Sequence, residues 1–277
     1  MQLSSSEVGA FREQVWEYYR QAGRRMPWRD DPSPYRVLVS ELMLQQTQVS
    51  RVVPKFETFM YTCDSFASLA NVPLSTVLEL WSGLGYNRRA KYLHQTARIV
   101  VHDYDGLLPS SRDELIKLPG VGTNTAGAIL AYAYNQPVVF IETNIRTVYF
   151  HHFYADHTDQ VSDKQLETLV EQTLDRDNPR EWYWALMDYG AFLKKTVGGR
   201  LSSSSHYVKQ TPLKGSAREM RGRILRALIT GKQDEQLLRE TVLWDERFEP
   251  ALAALSREGL IEKTGGYFRL TGDSETT

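Results

Sequence analysis

The 277 residues contain one cysteine, Cys63. A single thiol excludes an intrachain disulfide and every site built from several thiolates, including four-cysteine zinc and iron–sulfur centres. Strong net charge is missing as well: 33 Lys and Arg face 34 Asp and Glu, a formal net charge of −1. Overall charge therefore advertises no nucleic-acid partner, and any basic surface must be local. No apolar run is long enough to span a bilayer, and the opening "MQLSSSEVGAFREQVWEYYR" holds no apolar core of signal-peptide length. The expected location is the cytoplasm, at the nucleoid if DNA is the partner, with no membrane contact. What is present is ordinary for a globular protein: 42% hydrophobic and 24% charged residues.

One further absence is local. From Tyr189 to Arg218 there is no acidic residue, while Lys194, Lys195, Arg200, Lys209, Lys214 and Arg218 are all there. The stretch "GGRLSSSSHY" within it has the composition of a flexible tether. It reads either as a solvated linker or as a basic loop lying along phosphates.

Outside that tract the periodicity is helical almost throughout. Val8, Phe11, Val15, Tyr18 and Tyr19 fall near one face of an N-terminal helix. "PLSTVLELWSGLG" opens with a helix start and closes on glycines. From residue 216 the pattern changes to three short helices and a hairpin turning on Gly265-Gly266, which resembles a winged-helix module. Its candidate recognition helix carries Asp245, Glu246 and Glu249, so a structural or protein-contacting role is expected rather than major-groove reading.

The most informative string is "LPGVGTNTAGAIL", residues 118–130. Two glycines between helices allow a tight turn whose N–H groups point outward. With the N-terminus of the next helix they make a site for a phosphate oxygen. The second informative string is "VVFIETNIRTVY", where an apolar run stops at Glu142. Asn144, with Thr143, suits a helix cap.

With these strings in place, the chain resembles the helix-hairpin-helix glycosylase superfamily, and within it the MutY-type adenine DNA glycosylases. The matching stretches are "MPWRDDPSPYRVLVSELMLQQTQVSRVVPKF", "LWSGLGYNRRAKYLHQTA", "LPGVGTNTAGAIL", "IETNIRTV" and "ALMDYGAF", together covering roughly residues 10–193. The resemblance implies an all-α, two-domain fold, to which the residue pattern from 216 onward adds a small C-terminal winged-helix-like α+β module. Residues 1–29 and 137–200 are expected to form one helical domain, and 30–136 a six-helix barrel with the hairpin. Residues 194–215 are expected to be a basic linker and 216–277 the appended module. An extruded base would lie in a cleft between the two helical domains.

The implied activity is hydrolytic removal of a mispaired base, adenine opposite 8-oxoguanine or guanine, from double-stranded DNA by a monomer. Glu41 matches the general acid that protonates the leaving base. Its apolar surroundings "VLVSELML" would raise its pKa, as a general acid at neutral pH requires. Glu142 matches the carboxylate that stabilises the oxocarbenium-like state and orients water. Asn124 stands where bifunctional relatives carry a nucleophilic lysine, so the resemblance implies a water-using, monofunctional enzyme. Gln45 and Gln46 match a wedge that fills the hole left by the extruded base, and Thr47 is expected to contact DNA beside them. Tyr86, Arg88 and Arg89 fall near the cleft, with Arg88 and Arg89 read as phosphate contacts or solvated charges. Leu118, Gly120, Val121, Gly122, Thr123 and Thr125 form the DNA-contacting hairpin, joined by Asn144. Lys194, Lys195 and Arg200 are expected to contact DNA from the acid-free tract.

The chain departs from the family pattern in three ways. The second carboxylate is ordinarily Asp in an Asp-Gly-Asn run; here it is Glu142-Thr143-Asn144. Most relatives hold a [4Fe–4S] cluster just after "DYGAF", but no cysteines follow it here, so the cluster is expected to be absent and no metal site is expected. A monovalent cation at the hairpin is compatible with the pattern. The 8-oxoguanine-reading domain is replaced by residues 216–277. Two other readings remain open: a glycosylase of thymine, uracil or hypoxanthine on the same fold, and a lesion-binding protein with little catalysis.

Overall fold

A computed structural model of the protein describes residues 1–155, 161–198 and 212–272. The described chain is helical apart from one small sheet. In order, the helices are α1 (Ser5–Ala22), α2 (Pro27–Asp30), α3 (Pro34–Leu44), α4 (Val49–Thr62), α5 (Phe66–Asn71), α6 (Leu74–Trp81) and α7 (Arg88–Asp103). They continue with α8 (Arg112–Leu115), α9 (Thr123–Tyr132), α10 (Thr143–Phe153), α11 (Asp163–Thr173) and α12 (Pro179–Leu193). A π-helical turn, Lys194–Gly198, extends α12. Then come α13 (Ala217–Ile229), β1 (Gln233–Asp234), α14 (Glu235–Val242), α15 (Phe248–Arg257), β2 (Ile261–Thr264) and β3 (Tyr267–Leu270).

Local chemistry explains many of these boundaries. Ser4 and Glu7 form a reciprocal capping box at α1, and Ser162 and Gln165 form one at α11. Ser111 caps α8, Ser216 caps α13 and Asp234 caps α14, each accepting a backbone N–H two or three residues into the helix. Proline occupies the first turn of α2 and α12, where its missing N–H costs nothing.

The chain divides into two compact units. The first comprises Met1–Leu38, Pro109–Lys117 and Val121–Lys209. Its core joins α1 to α10 and α12 through aromatic side chains: Phe11 lies 5.4 Å from Tyr149 and 6.0 Å from Trp182, ring centre to ring centre. A buried ion cluster ties the N-terminal loop to α12. Asp188, 1% exposed, accepts the Arg24 backbone N–H at 2.7 Å and the Arg29 guanidinium at 2.9 Å through both nitrogens. Burial alone would raise its pKa, but Arg29 and Arg24 outweigh burial and hold the carboxylate ionised below its usual range.

The second unit comprises Val39–Leu108, Leu118–Gly120 and Gln210–Thr277. Its core contains Phe56, Phe59, Leu69 and Trp81, all fully buried. The C-terminal module belongs to this unit. Its sheet runs β1-β3-β2, antiparallel, with Gln233 opposite Phe268 and Lys263 also opposite Phe268. Three helices, a wing and this strand order make a winged-helix arrangement. The two-residue strand β1 was not legible in the sequence, because so short a segment carries no alternation.

Trp28, Trp81 and Trp182 are buried. Trp184 is half-buried, with the Arg29 guanidinium 5.3 Å from its ring.

Candidate active site

In the first unit, Glu142 sits at the N-cap position of α10 with extended backbone, φ −105° and ψ 170°. Its side chain makes no capping hydrogen bond. The cap expected of Asn144 and Thr143 is one residue early: these are the first two helical residues, and neither caps the helix. The carboxylate is therefore not spent on closing the helix. Part of the side chain reaches the surface, but the protein withdraws the carboxyl from water, and that desolvation pushes its pKa up to about 7.

The chain leading to Glu142 is pinned residue by residue. Tyr183 donates its hydroxyl to the Val138 carbonyl at 2.7 Å, and Arg112 donates to the Val139 carbonyl at 2.8 Å. Phe140 lies against α9 at Gly127, where an added Cβ would stand 2.5 Å from the Phe140 Cβ. Ile141 is buried. Past the carboxylate, Asn144 meets α12 at Gly190, where a Cβ would stand 2.2 Å from the Asn144 carbonyl oxygen. The Phe140 side chain two residues before Glu142 and the Asn144 backbone two residues after it thus each rest on a glycine with no room for a methyl group. This double support was not legible in the sequence, although Gly190 lies in the motif "DYGAF".

The other hairpin-derived residues of this unit open α9. Gly122 is its N-cap, and Thr123 and Asn124 are exposed in its first turn. Val121 is buried, so a contact from it would have to come from its backbone. Thr125 is half-buried. At the far end of α12, Lys194 and Lys195 are exposed on the π-helical turn. Arg200 lies outside the described residues.

In the second unit, Glu41 lies half-buried on α3, between Ser40, 1% exposed, and the fully buried Leu42 and Met43. The same helix runs into the Gln45–Thr47 turn. Gln46 is exposed in left-handed backbone, φ 55°. Gln45 donates to the Gly120 carbonyl at 3.4 Å, and Thr96 donates to the Pro119 carbonyl at 3.0 Å. Gly120 has φ 80°, and a Cβ there would meet Tyr92 at 3.0 Å and Leu42 at 3.4 Å. Leu118 is buried beneath this turn.

Arg89 connects the turns. The reading as a surface cation does not fit it: the residue is 6% exposed. Its guanidinium donates to the carbonyls of Leu42 at 2.6 Å, Met43 at 2.9 Å, Gln45 at 2.7 Å and Gly85 at 2.9 Å, and to the Thr47 hydroxyl at 3.1 Å. Burial lowers its pKa to about 10, so it remains charged at neutral pH. One arginine thus staples the Gln45–Thr47 turn to the Gly85–Tyr86 turn.

Arg88 is also engaged within the protein. It pairs with Glu258 of the C-terminal module at 2.6 Å, and Arg221 pairs with the same carboxylate at 2.5 Å. Lys91 donates to the Glu258 backbone carbonyl. Burial would raise the Glu258 carboxyl, but Arg221 and Arg88 bring it down to about 2. The start of α7, expected to meet phosphates or solvent, is therefore engaged by the module at Arg88, through a residue 170 positions away along the chain. No local pattern announces such a pair.

Among the described residues, no group of three or more His, Cys, Asp or Glu is placed to hold a metal ion. Cys63 is buried at the end of α4. A four-thiolate iron–sulfur cluster does not fit a chain with one thiol. No helix among the described residues is long and apolar enough to cross a membrane. In the module, two of the three acids named on the candidate recognition helix and its approach, Asp245 and Glu249, are paired internally. Asp245 and Glu219 hold Arg247, and Glu249 and Glu235 hold Arg239.

Comparison with known proteins places this geometry in a family. The model of the HhH-GPD superfamily, base excision DNA repair proteins, matches residues 39–173. An adenine DNA glycosylase of Mycolicibacterium smegmatis is 31% identical over 284 aligned residues, covering 95% of this chain and 97% of the relative. An adenine DNA glycosylase of Buchnera aphidicola is 35% identical over 188 residues, 66% of this chain, which spans about half, 52%, of that relative's length. A solved thermostable thymine-DNA glycosylase is similar with a TM-score of 0.60 and 26% identity, covering 67% of this chain and 87% of that one. The chain belongs to the HhH-GPD superfamily of base excision DNA repair proteins.

Proposed function

We propose that the protein removes adenine from mispairs with 8-oxoguanine or guanine in double-stranded DNA, by hydrolysis of the N-glycosidic bond. The observation that carries this reading is the Glu142 carboxyl, held at a helix start without capping it and raised to about 7 by lost hydration. A carboxylate kept from water interacts more strongly with a sugar cation forming beside it than a hydrated one does. The likeness to adenine DNA glycosylases, one of them along nearly its whole length, supports adenine as the base.

In this reading Glu41 donates a proton to a ring nitrogen of the adenine, so that the base leaves neutral. Glu142, ionised, stabilises the oxocarbenium-like sugar and directs a water to its anomeric carbon. The water's oxygen bonds to that carbon as the carbon–nitrogen bond breaks, and its proton passes to the Glu142 carboxylate. Asn124, exposed in the first turn of α9, offers an amide to hydrogen-bond the base or sugar and has no amine with which to form a Schiff base. Gln46, with Gln45 and Thr47 behind it, fills the vacated stack, and the hairpin N–H groups with the start of α9 hold a phosphate. Each step is acid–base and electrostatic and uses groups of this chain. The reading includes no iron–sulfur cluster.

The likeness to the thymine-DNA glycosylase favours one second reading: thymine opposite guanine as the excised base. A single panel separates the two. Purified protein is incubated with duplexes carrying A:8-oxoguanine, A:G, T:G, U:G and hypoxanthine:T, and abasic sites are then cleaved with alkali. Breaks at adenine are expected. Breaks confined to the pyrimidines assign the second reading, and tight binding without breaks overturns both. Glu41→Gln should abolish release; activity surviving it removes Glu41 from the acid's role.

A further inference from the structure

We infer that Arg218, at the start of the C-terminal module, is a positioning residue through which the module governs discrimination of the base opposite adenine. Its instrument is the Tyr86 ring. The inference rests on the adenine-excision reading above.

Tyr86 follows two glycines in left-handed backbone, Gly83 at φ 94° and Gly85 at φ 75°, and is itself left-handed at φ 49°. That conformation costs a bulky residue about 1–3 kcal/mol and persists only where the surroundings enforce it. Two guanidiniums supply the enforcement. Arg89 lies 5.5 Å from the ring centre and donates to the Tyr86 carbonyl at 3.3 Å. Arg218 lies 5.3 Å from the ring centre and donates to the Tyr86 hydroxyl. Backbone and ring are thus held from separate parts of the chain: the backbone by α7, the hydroxyl by the module.

The helix that brings Arg218 there is itself fixed. Glu219 accepts from the Gly215 N–H at 2.8 Å, from Arg223 at 2.9 Å and from Arg247 at 3.0 Å, which secures the first turn of α13. Further along the same helix, Arg221 is joined through Glu258 to Arg88. Arg218 and Arg221, one turn apart, both act on the Tyr86–Arg88 segment.

The position of Tyr86 explains what this hold governs. Arg89 staples the Tyr86 turn to the Gln45–Thr47 turn. A wedge that fills the hole left by an extruded adenine faces the base that has lost its partner. A half-buried aromatic ring stapled beside the wedge adjoins that same orphaned base, and stacking on such a ring is worth about 1–3 kcal/mol per base. Fixing the ring spares the cost of ordering it on binding. Arg218 therefore acts on how the opposite base is stacked, through the Tyr86 ring and not through either carboxylate.

The test uses the full chain and its variants Arg218→Ala, Arg218→Lys, Tyr86→Phe and the double variant Arg218→Ala/Tyr86→Phe. Dissociation constants and single-turnover rates are measured on A:8-oxoguanine and A:G duplexes. Arg218→Ala should change the ratio of affinities for the two duplexes by about tenfold, the scale of one hydrogen bond to a charged group, with both saturated rates changed less. Tyr86→Phe should reproduce the change, the double variant should add little to either, and Arg218→Lys should restore part of it. Equal weakening on both duplexes, or additive single effects, overturns the inference by reducing Arg218 to a general structural role. If the parent chain releases no adenine from either duplex, the functional reading fails. If the parent releases adenine and Arg218→Ala leaves the ratio unchanged, this inference alone fails.

Discussion

The Arg89 guanidinium lies 2.7 Å from the Gln45 carbonyl oxygen, in the interior of the protein. A pair of arginines at a helix start suggested phosphate contacts or solvated charges. One of them instead satisfies carbonyls left unpaired where α3 ends and two turns begin. Arg89→Lys should therefore act on stability. A lysine cannot reproduce the planar fork, and stranding several acceptors should lower stability by about 2–4 kcal/mol. Urea unfolding measures this. The slope of log affinity against log salt should stay unchanged, since giving up a phosphate partner would reduce it by about 0.9.

Glu142 should leave a signature in the pH dependence of stability. An acid whose pKa is raised on folding binds protons more tightly in the folded chain than in the unfolded one. Its favourable contribution is complete below the ordinary value of 4.5 and is lost as pH rises through about 7. Glu142→Gln should therefore be more stable than the parent at pH 8, by about 2–3 kcal/mol, and nearly equal to it at pH 4.5. Thermal melts at the two values measure the difference. Adenine release should respond in the opposite sense: it requires the anion, so kcat/KM of the parent should rise with pH through about 7.

The glycines on either side of Glu142 make the next expectation. Gly190→Ala places a methyl 2.2 Å from the Asn144 carbonyl oxygen, and Gly127→Ala places one 2.5 Å from the Phe140 Cβ. Each should cost about 1–3 kcal/mol of stability through overpacking. Each should also slow single-turnover release by about 100-fold, because displacements near 1 Å at a reacting group cost that much. Saturated rates matching the parent would show that the two glycines support α10 without setting the carboxylate.

Lys194 and Lys195 are exposed on the π-helical turn that continues α12. Converting both to Glu should weaken duplex binding at 50 mM salt and flatten its salt dependence by about 0.9 for each phosphate no longer neutralised. Titration at several salt concentrations decides it; an unchanged slope removes both from the DNA-binding surface.

How much of this was legible follows from where the information lies. The α1 and α11 starts were written locally, in Ser4-Glu7 and Ser162-Gln165. Glu142 stood out because one acid ended an apolar run. The wing was visible in Gly265-Gly266, both left-handed in the structure at φ 58° and 88°. The rest depends on partners far apart in sequence. Asp188 meets Arg24 across 164 residues, and Arg218 meets Tyr86 across 132. Neither side of such a pair carries a local mark. The chemistry of Arg88 and Arg89 was likewise decided by tertiary surroundings, since adjacent residues on a helix point in different directions, one to Glu258 and one to the interior.

The joint at Glu258 bears on how the chain is divided for experiment. Its carboxylate takes up Arg88, and its backbone carbonyl takes up Lys91. Cutting the chain ahead of α13 removes ten basic and eleven acidic residues, so the net charge scarcely changes. Locally, however, two cations on α7 lose their partner and turn to solvent. The shortened protein should cling to any duplex more tightly, with a steeper salt dependence, while losing preference among mispairs. Raised affinity in a truncation would then measure uncovered charge, not an inhibitor removed.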